Sequence, residues 1–197
     1  MNTLLALIIA TAILVMIPGP NVALIVANSL KYGLRPGLVT VLGTTAGVAL
    51  QLALVVVGMT TVVELAADVL VWVKWAGVAY LVVLGIRTWR EPAVDLVDVV
   101  AMPVMFWRGC VLAALNPKTL LFNAAFIPQF VSTASSTVFD FVTVAMVFLS
   151  VLFVGDVLWA VFADSARRVL DRYSHIRNRL SGAFLTAAGI GLAFSRK

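Results

Sequence analysis

The sequence predicts an all-α integral membrane protein. About six transmembrane helices are expected, in two inverted three-helix repeats, with helices 1 and 4 broken at prolines. Three observations predict this. Of the 197 residues, 62% are hydrophobic and only 12% charged, whereas a soluble domain is about 45–50% apolar and about 25% charged. The apolar residues fall in six runs, and basic residues punctuate the runs on one side far more than on the other. Proline-bearing motifs recur at matching places in the two halves.

The runs are Leu4–Val26, Leu38–Val63, Val69–Ile86, Cys110–Val131, Val138–Ala163 and Leu180–Phe194. About 20 apolar residues are needed to cross the hydrocarbon core as a helix. Runs 1, 2, 4 and 5 meet that length; run 3 can extend through Lys74, whose stem can snorkel. Backbone groups in lipid must be paired within the segment, which selects helices. Strands would need apolar–polar alternation, and these runs lack it. The start MNTLLALIIATAILVMIPGP has the apolar centre of a signal peptide. It lacks the basic leader, and Ala10-Thr11-Ala12 comes too early for cleavage, so it is read as a retained first span.

Ten of the 14 basic residues occupy the connections after runs 1, 3 and 5: Lys31 and Arg35; Arg87, Arg90 and Arg108; Arg167, Arg168, Arg172, Arg177 and Arg179. Lys74, Arg196 and Lys197 fall on the other side. The positive-inside rule places the ten-residue side in the cytoplasm and both termini outside. Residues 1–90 then form the first repeat, 91–108 a cytoplasmic linker carrying Glu91, Asp95 and Asp98, and 109–197 the second repeat.

The repeat rests on two correspondences. Pro18-Gly19-Pro20 answers Asn116-Pro117-Lys118, and Lys74-Trp75-Ala76-Gly77 answers Arg179-Leu180-Ser181-Gly182. An odd number of spans per repeat inverts the second copy. Interrupted helices at matching positions of inverted repeats are typical of transporters, with substrate bound between the repeats.

Pro18 and Pro20 remove two backbone donors inside run 1 and should break it, with Asn21 or a ligand serving the freed carbonyls. A kink that only shapes packing is the plainer reading. Lys118 is the one charge within run 4. A cation there costs at least about 2.5 kcal/mol, so it should face protein or a wet cavity. It can hold a substrate carboxylate or form a structural pair with Asp156. Asp156 lies eight residues before Asp164, about 12 Å inside the cytoplasmic edge. Burial penalises its charged form, which suits reversible protonation. Asp140 lies near the outer end of the same run and reaches water. Gly43 and Gly47 make a small-residue seam for close helix packing. Gln51, one turn on, can bond substrate or a neighbouring helix. Trp72, Trp75, Trp89 and Trp107 lie near span ends, as interfacial anchors do. The basic stretch Arg167–Arg179 suits anionic lipid headgroups.

Several functions are excluded. The net charge of +5 is scattered at membrane edges, so no basic face exists to track nucleic acid. Cys110 stands alone, and the single His175 cannot build a histidine metal cluster. No nucleophile–base pair, metal set or cofactor motif is present, so an enzyme is not expected. Membrane lipid and a small-molecule substrate are the expected partners; a homo-oligomer is compatible with the sequence, which fixes no number of copies.

These motifs together resemble the lysine-exporter translocator superfamily, specifically its homoserine/threonine-efflux (LysE/RhtB) branch. The resemblance covers essentially the whole chain. It rests on IPGPN at Ile17–Asn21, GLRPG at Gly33–Gly37, GTTAG at Gly43–Gly47, WAGVAYLVVLGIR at Trp75–Arg87, LNPK at Leu115–Lys118 and IPQF at Ile127–Phe130. It implies a bacterial inner-membrane protein that exports amino acids or related small metabolites, driven by protons. It does not fix the substrate, although a core whose only acid is Asp156 tilts towards a neutral amino acid. The gating and binding residues expected are Pro18, Gly19, Pro20, Asn21, Gln51, Asn116, Pro117 and Lys118, with Asp156 carrying the proton. A small-cation carrier of a related branch would want several inward carboxylates, Met or His ligands. A non-transporting scaffold would have little reason to hold Lys118 and Asp156 at membrane depth.

Overall fold

The computed structural model describes residues 2–58, 75, 78–79, 82–87, 89–90, 101–125, 127–130, 138–170 and 174–194. Every regular element among these is helical. In chain order they are α1 (Asn2–Met16), α2 (Pro20–Tyr32), α3 (Leu34–Gly58), α4 (Met102–Ala114), α5 (Pro117–Ala125), a 3₁₀ turn (Ile127–Phe130), α6 (Val138–Leu170) and α7 (Ser174–Phe194). The described residues between 75 and 90 are helical too.

Run 1 is broken: α1 and α2 are together long and apolar enough for one crossing but bend by 57° at Ile17–Gly19, the form of a broken span or of a re-entrant loop. Pro20 opens α2, where its missing N–H costs nothing. The chain reverses after Tyr32 at Gly33, whose φ of +96° is a left-handed conformation that glycine adopts without strain. α3 and α6 are long and apolar enough to cross a membrane unbroken. At 33 residues, α6 is about 50 Å long, so its last turns project beyond a 30 Å hydrocarbon core. Those turns carry Asp164, Arg167 and Arg168, with Arg168 paired to Asp164 at 2.8 Å.

Run 4 differs from its expected bounds. Its helix begins at Met102, before Cys110, so residues 102–108 of the expected linker are helical. The reason is local: Ala101 is extended and Pro103 sits in the first turn, a ready helix start that hydropathy alone does not register. The helix then stops at Ala114 and restarts at Pro117. Met102–Ala114 and Arg179–Phe194 are shorter apolar helices than α3 and α6. Residues 59–74 and 91–100, with the ends of runs 2 and 3 and most of the expected linker, lie outside the described residues.

α1, α3 and α6 share a core built on Leu7, Val48, Leu52, Phe148 and Leu152. A second core joins α2, α4 and α7 through Leu24, Leu112 and Leu185, with Leu84 packed against it. α3 and α4 meet backbone to backbone: a Cβ on Gly43 would collide with the Phe106 carbonyl, and one on Gly47 with the Cys110 carbonyl. The outer faces are apolar, with Ile13 56% and Phe162 67% exposed. Contiguous exposure of that kind suits lipid rather than water.

Candidate functional site

The two breaks lie against each other. Asn116 Nδ2 donates to Asn21 Oδ1 at 2.8 Å, joining the first turn of α2 to the residue before α5. Both asparagines are buried. This contact spans 95 residues of sequence and belongs to neither helix alone.

Each proline removes one helical donor, although the Ala113 carbonyl still accepts the Asn116 N–H at 3.1 Å. Pro18 cannot donate to Leu14, Pro20 cannot donate to Met16, and Pro117 cannot donate to Ala113. In lipid such carbonyls must find other partners. Lys118 Nζ donates to the Leu14 carbonyl at 3.0 Å and to the Ile17 carbonyl at 2.6 Å. Trp159 Nε1 donates to the Val15 carbonyl at 3.1 Å. The C-terminal end of α1, where the helix dipole is negative, is thus closed by an ammonium and an indole. Gly19 leaves room for this: a Cβ there would sit 3.3 Å from Lys118 Cδ.

The second break is closed by a neutral amide. Gln51 Nε2, on α3, lies 2.8 Å from the Ala113 carbonyl, 3.1 Å from that of Ala114 and 3.2 Å from that of Asn116. Gln51 Oε1 accepts from Asn123 Nδ2 at 3.1 Å. Asn116 also caps α5: its Oδ1 accepts from the Lys118 backbone N–H at 3.0 Å, with Pro117 at the first helical position. Asn-Pro-Lys is therefore a helix start as well as a helix interruption.

Asp156 is 2% exposed. Thr44 Oγ1, on α3, lies 3.4 Å from Asp156 Oδ2 and 3.0 Å from the Val41 carbonyl, so one hydroxyl proton serves two acceptors. Asp156 makes no ion pair within 4.0 Å among the described residues, so the direct Lys118–Asp156 bridge is not formed. Both nevertheless line one cavity of about 30 Å³, with Gly19, Asn21, Asn116 and Thr119. That is room for about one or two waters. A second cavity of about 520 Å³ opens beside it, reached by Pro20, Asn116 and Pro117 and walled mainly by apolar side chains of α4.

The structure therefore gathers Gly19, Asn21, Asn116, Lys118 and Asp156 round one small cavity, with Pro20 and Pro117 backing it and Gln51 bracing the second break. Pro18 acts through the donor it lacks. Sequence reasoning missed Trp159, Thr44, Thr119 and Asn123. A signal existed for the first: a carbonyl next to a doubly prolined break needs a donor, and an indole N–H is one.

The LysE type translocator family model matches residues 12–196. The chain belongs to that family. It is 26% identical to the uncharacterized membrane protein YrhP of Bacillus subtilis over 99% of this chain and 100% of that protein. It is 26% identical to the homoserine/homoserine lactone efflux protein of Salmonella typhimurium, over 97% of this chain and 96% of that one. It is 27% identical to the leucine efflux protein of Salmonella typhimurium, over 65% of this chain and 63% of that one. No solved structure matches the chain significantly.

Proposed function

We propose that this member of the LysE type translocator family is a secondary transporter that exports amino acids or related small metabolites across the bacterial inner membrane, coupled to the proton gradient. The observation that carries the reading is the shared cavity of Lys118 and Asp156 at the junction of the two breaks. A cation and a carboxylate beside one cavity, without a bridge between them, can serve a substrate carboxylate and a coupling proton separately.

In this reading the substrate carboxylate takes Lys118 away from the Leu14 and Ile17 carbonyls, and the substrate ammonium takes over those carbonyls. The first turn of α5, starting at Pro117, adds a dipole that favours the anion. A cavity of about 30 Å³ is too small for an amino acid, so binding must part the end of α1 from α5. The bend at Ile17–Gly19 is the natural hinge. Asp156 exchanges the coupling proton: while substrate occupies Lys118, the cation no longer favours the ionised carboxylate, and on release it does so again. Efflux relatives of this family support the direction of transport.

The same proposal includes six spans in two inverted repeats, with the termini outside. Its support is the capping pattern, because the carbonyls of each break are held by side chains of the other half. Cysteines placed at Asp98 and at Ser195, with Cys110 removed, should label from opposite sides. Labelling of both from the cytoplasm would overturn the topology. Proteoliposomes carrying the wild type and Asp156→Asn, assayed with amino acids and metal ions, test the transport scheme. Asp156→Asn should bind substrate but lose gradient-driven efflux. Normal proton-driven export by that variant would make Asp156 structural.

A further inference from the structure

The two cavities share Asn116 as a common wall, and the chain alternates between them at both breaks. Gly19 and Asn21 line the small polar cavity while Pro20, between them, lines the large one. Lys118 lines the polar cavity while Pro117, its neighbour, lines the large one. Asn116 lines both, and its bond to Asn21 at 2.8 Å lies in the wall itself.

The large cavity has the size of a small-molecule pocket, about 520 Å³ within the usual range of roughly 300–1,000 Å³. Val104, Trp107, Val111, Leu112, Leu115 and Leu192 supply most of its surface. Arg108, itself exposed, is the one charged residue among the described residues that line it. The cavity is open along α4, where Val104, Trp107, Val111 and Leu115 are exposed, and a hydroxyl or a second charge placed among its aliphatic residues would face apolar groups without a partner, which is unfavourable.

We infer that the large cavity receives the substrate's side chain, so that the exported substrate is a neutral amino acid with a bulky apolar side chain. The Asn21–Asn116 hydrogen bond is the gate between the cavity for the charged head and the cavity for the side chain. This rests on the exporter reading above and adds to it the substrate class. A zwitterionic head at Lys118 and the Leu14 and Ile17 carbonyls directs the side chain across the wall, since Asn116 borders both cavities. Opening the Asn21–Asn116 bond exposes two amides, and these can turn to the head group. Side-chain recognition in an apolar pocket grades by size, each methylene changing preference by about tenfold or more.

The test is efflux of labelled leucine, phenylalanine, alanine, threonine, homoserine and lysine from proteoliposomes containing the full chain. Two variants accompany the wild type. Val111→Trp fills the cavity from α4, and Val111→Ala widens it. Val111 is half exposed, so neither change disturbs the packed core. Leucine should be preferred over threonine, homoserine and lysine by at least about tenfold. Val111→Trp should turn the preference towards alanine, and Val111→Ala towards phenylalanine. Equal export of threonine or homoserine and leucine, unchanged by Val111→Trp, would overturn the inference and assign the cavity to lipid chains; the exporter reading would survive. Export of no amino acid at all would remove both.

Discussion

The two proline breaks present the same fault and receive different repairs. At the first, the Leu14, Val15 and Ile17 carbonyls are held by an ammonium and an indole. At the second, the neutral amide of Gln51 reaches the Ala113, Ala114 and Asn116 carbonyls, beside the Asn116 N–H on Ala113 and the Leu120 N–H and Thr119 hydroxyl on Asn116. The second break is thus closed by neutral donors alone. Closing the first break with a full cation brings a charge to membrane depth at a cost of at least about 2.5 kcal/mol. Backbone satisfaction does not require that charge. In the proposed scheme the difference makes Gln51 a structural repair and Lys118 a repair that a ligand exchanges.

The comparison can be sharpened at its neutral side first. Gln51→Leu should have the larger effect on stability, because the contacts of Gln51 with the Ala113, Ala114 and Asn116 carbonyls and with Asn123 go together. A loss of about 2 kcal/mol is expected, measured as reduced thermal stability in detergent. Export per folded molecule should remain within a fewfold of wild type. Abolished export in well-folded Gln51→Leu protein would break the comparison by making Gln51 part of the binding machinery. Trp159→Phe should cost less, about 1 kcal/mol, since it removes one donor at 3.1 Å and keeps an aromatic ring. The same unfolding assay checks it. A loss exceeding that of Gln51→Leu would mean that the indole, not the ammonium, is the main closure of the first break.

Much of this arrangement is legible in the sequence, in a specific way. Pro18, Pro20 and Pro117 identify both breaks, and counting back four residues names the carbonyls of Leu14, Met16 and Ala113 as the ones that lose a helical donor. Gly43 and Gly47 announce a close helix contact, and their neighbours Phe106 and Cys110 fill it. Lys118 and Asp156 stand out because charge is rare at that depth. The partners are not legible. Lys118 meets Leu14 across 104 residues and Trp159 meets Val15 across 144. Runs that are apolar on every side carry no periodic pattern to say which face looks inward. The sequence left open whether Lys118 pairs with Asp156, and could not show that the carbonyls of α1 compete for the same ammonium, because their claim depends on how α1 docks on α5. The large cavity was hidden likewise, since the apolar residues that wall it read as ordinary lipid-facing side chains.

The most direct measurement is to give the first break the chemistry of the second. Lys118→Gln supplies an amide donor to the Leu14 and Ile17 carbonyls while removing the charge. The variant should fold, with a melting temperature in detergent near that of the wild type, and proteoliposomes containing it should lose gradient-driven efflux by about 100-fold or more, the weight of a buried charge-assisted contact of about 3 kcal/mol. Export at the wild-type rate by folded Lys118→Gln protein would contradict the account, because Lys118 would then be a helix cap and nothing more.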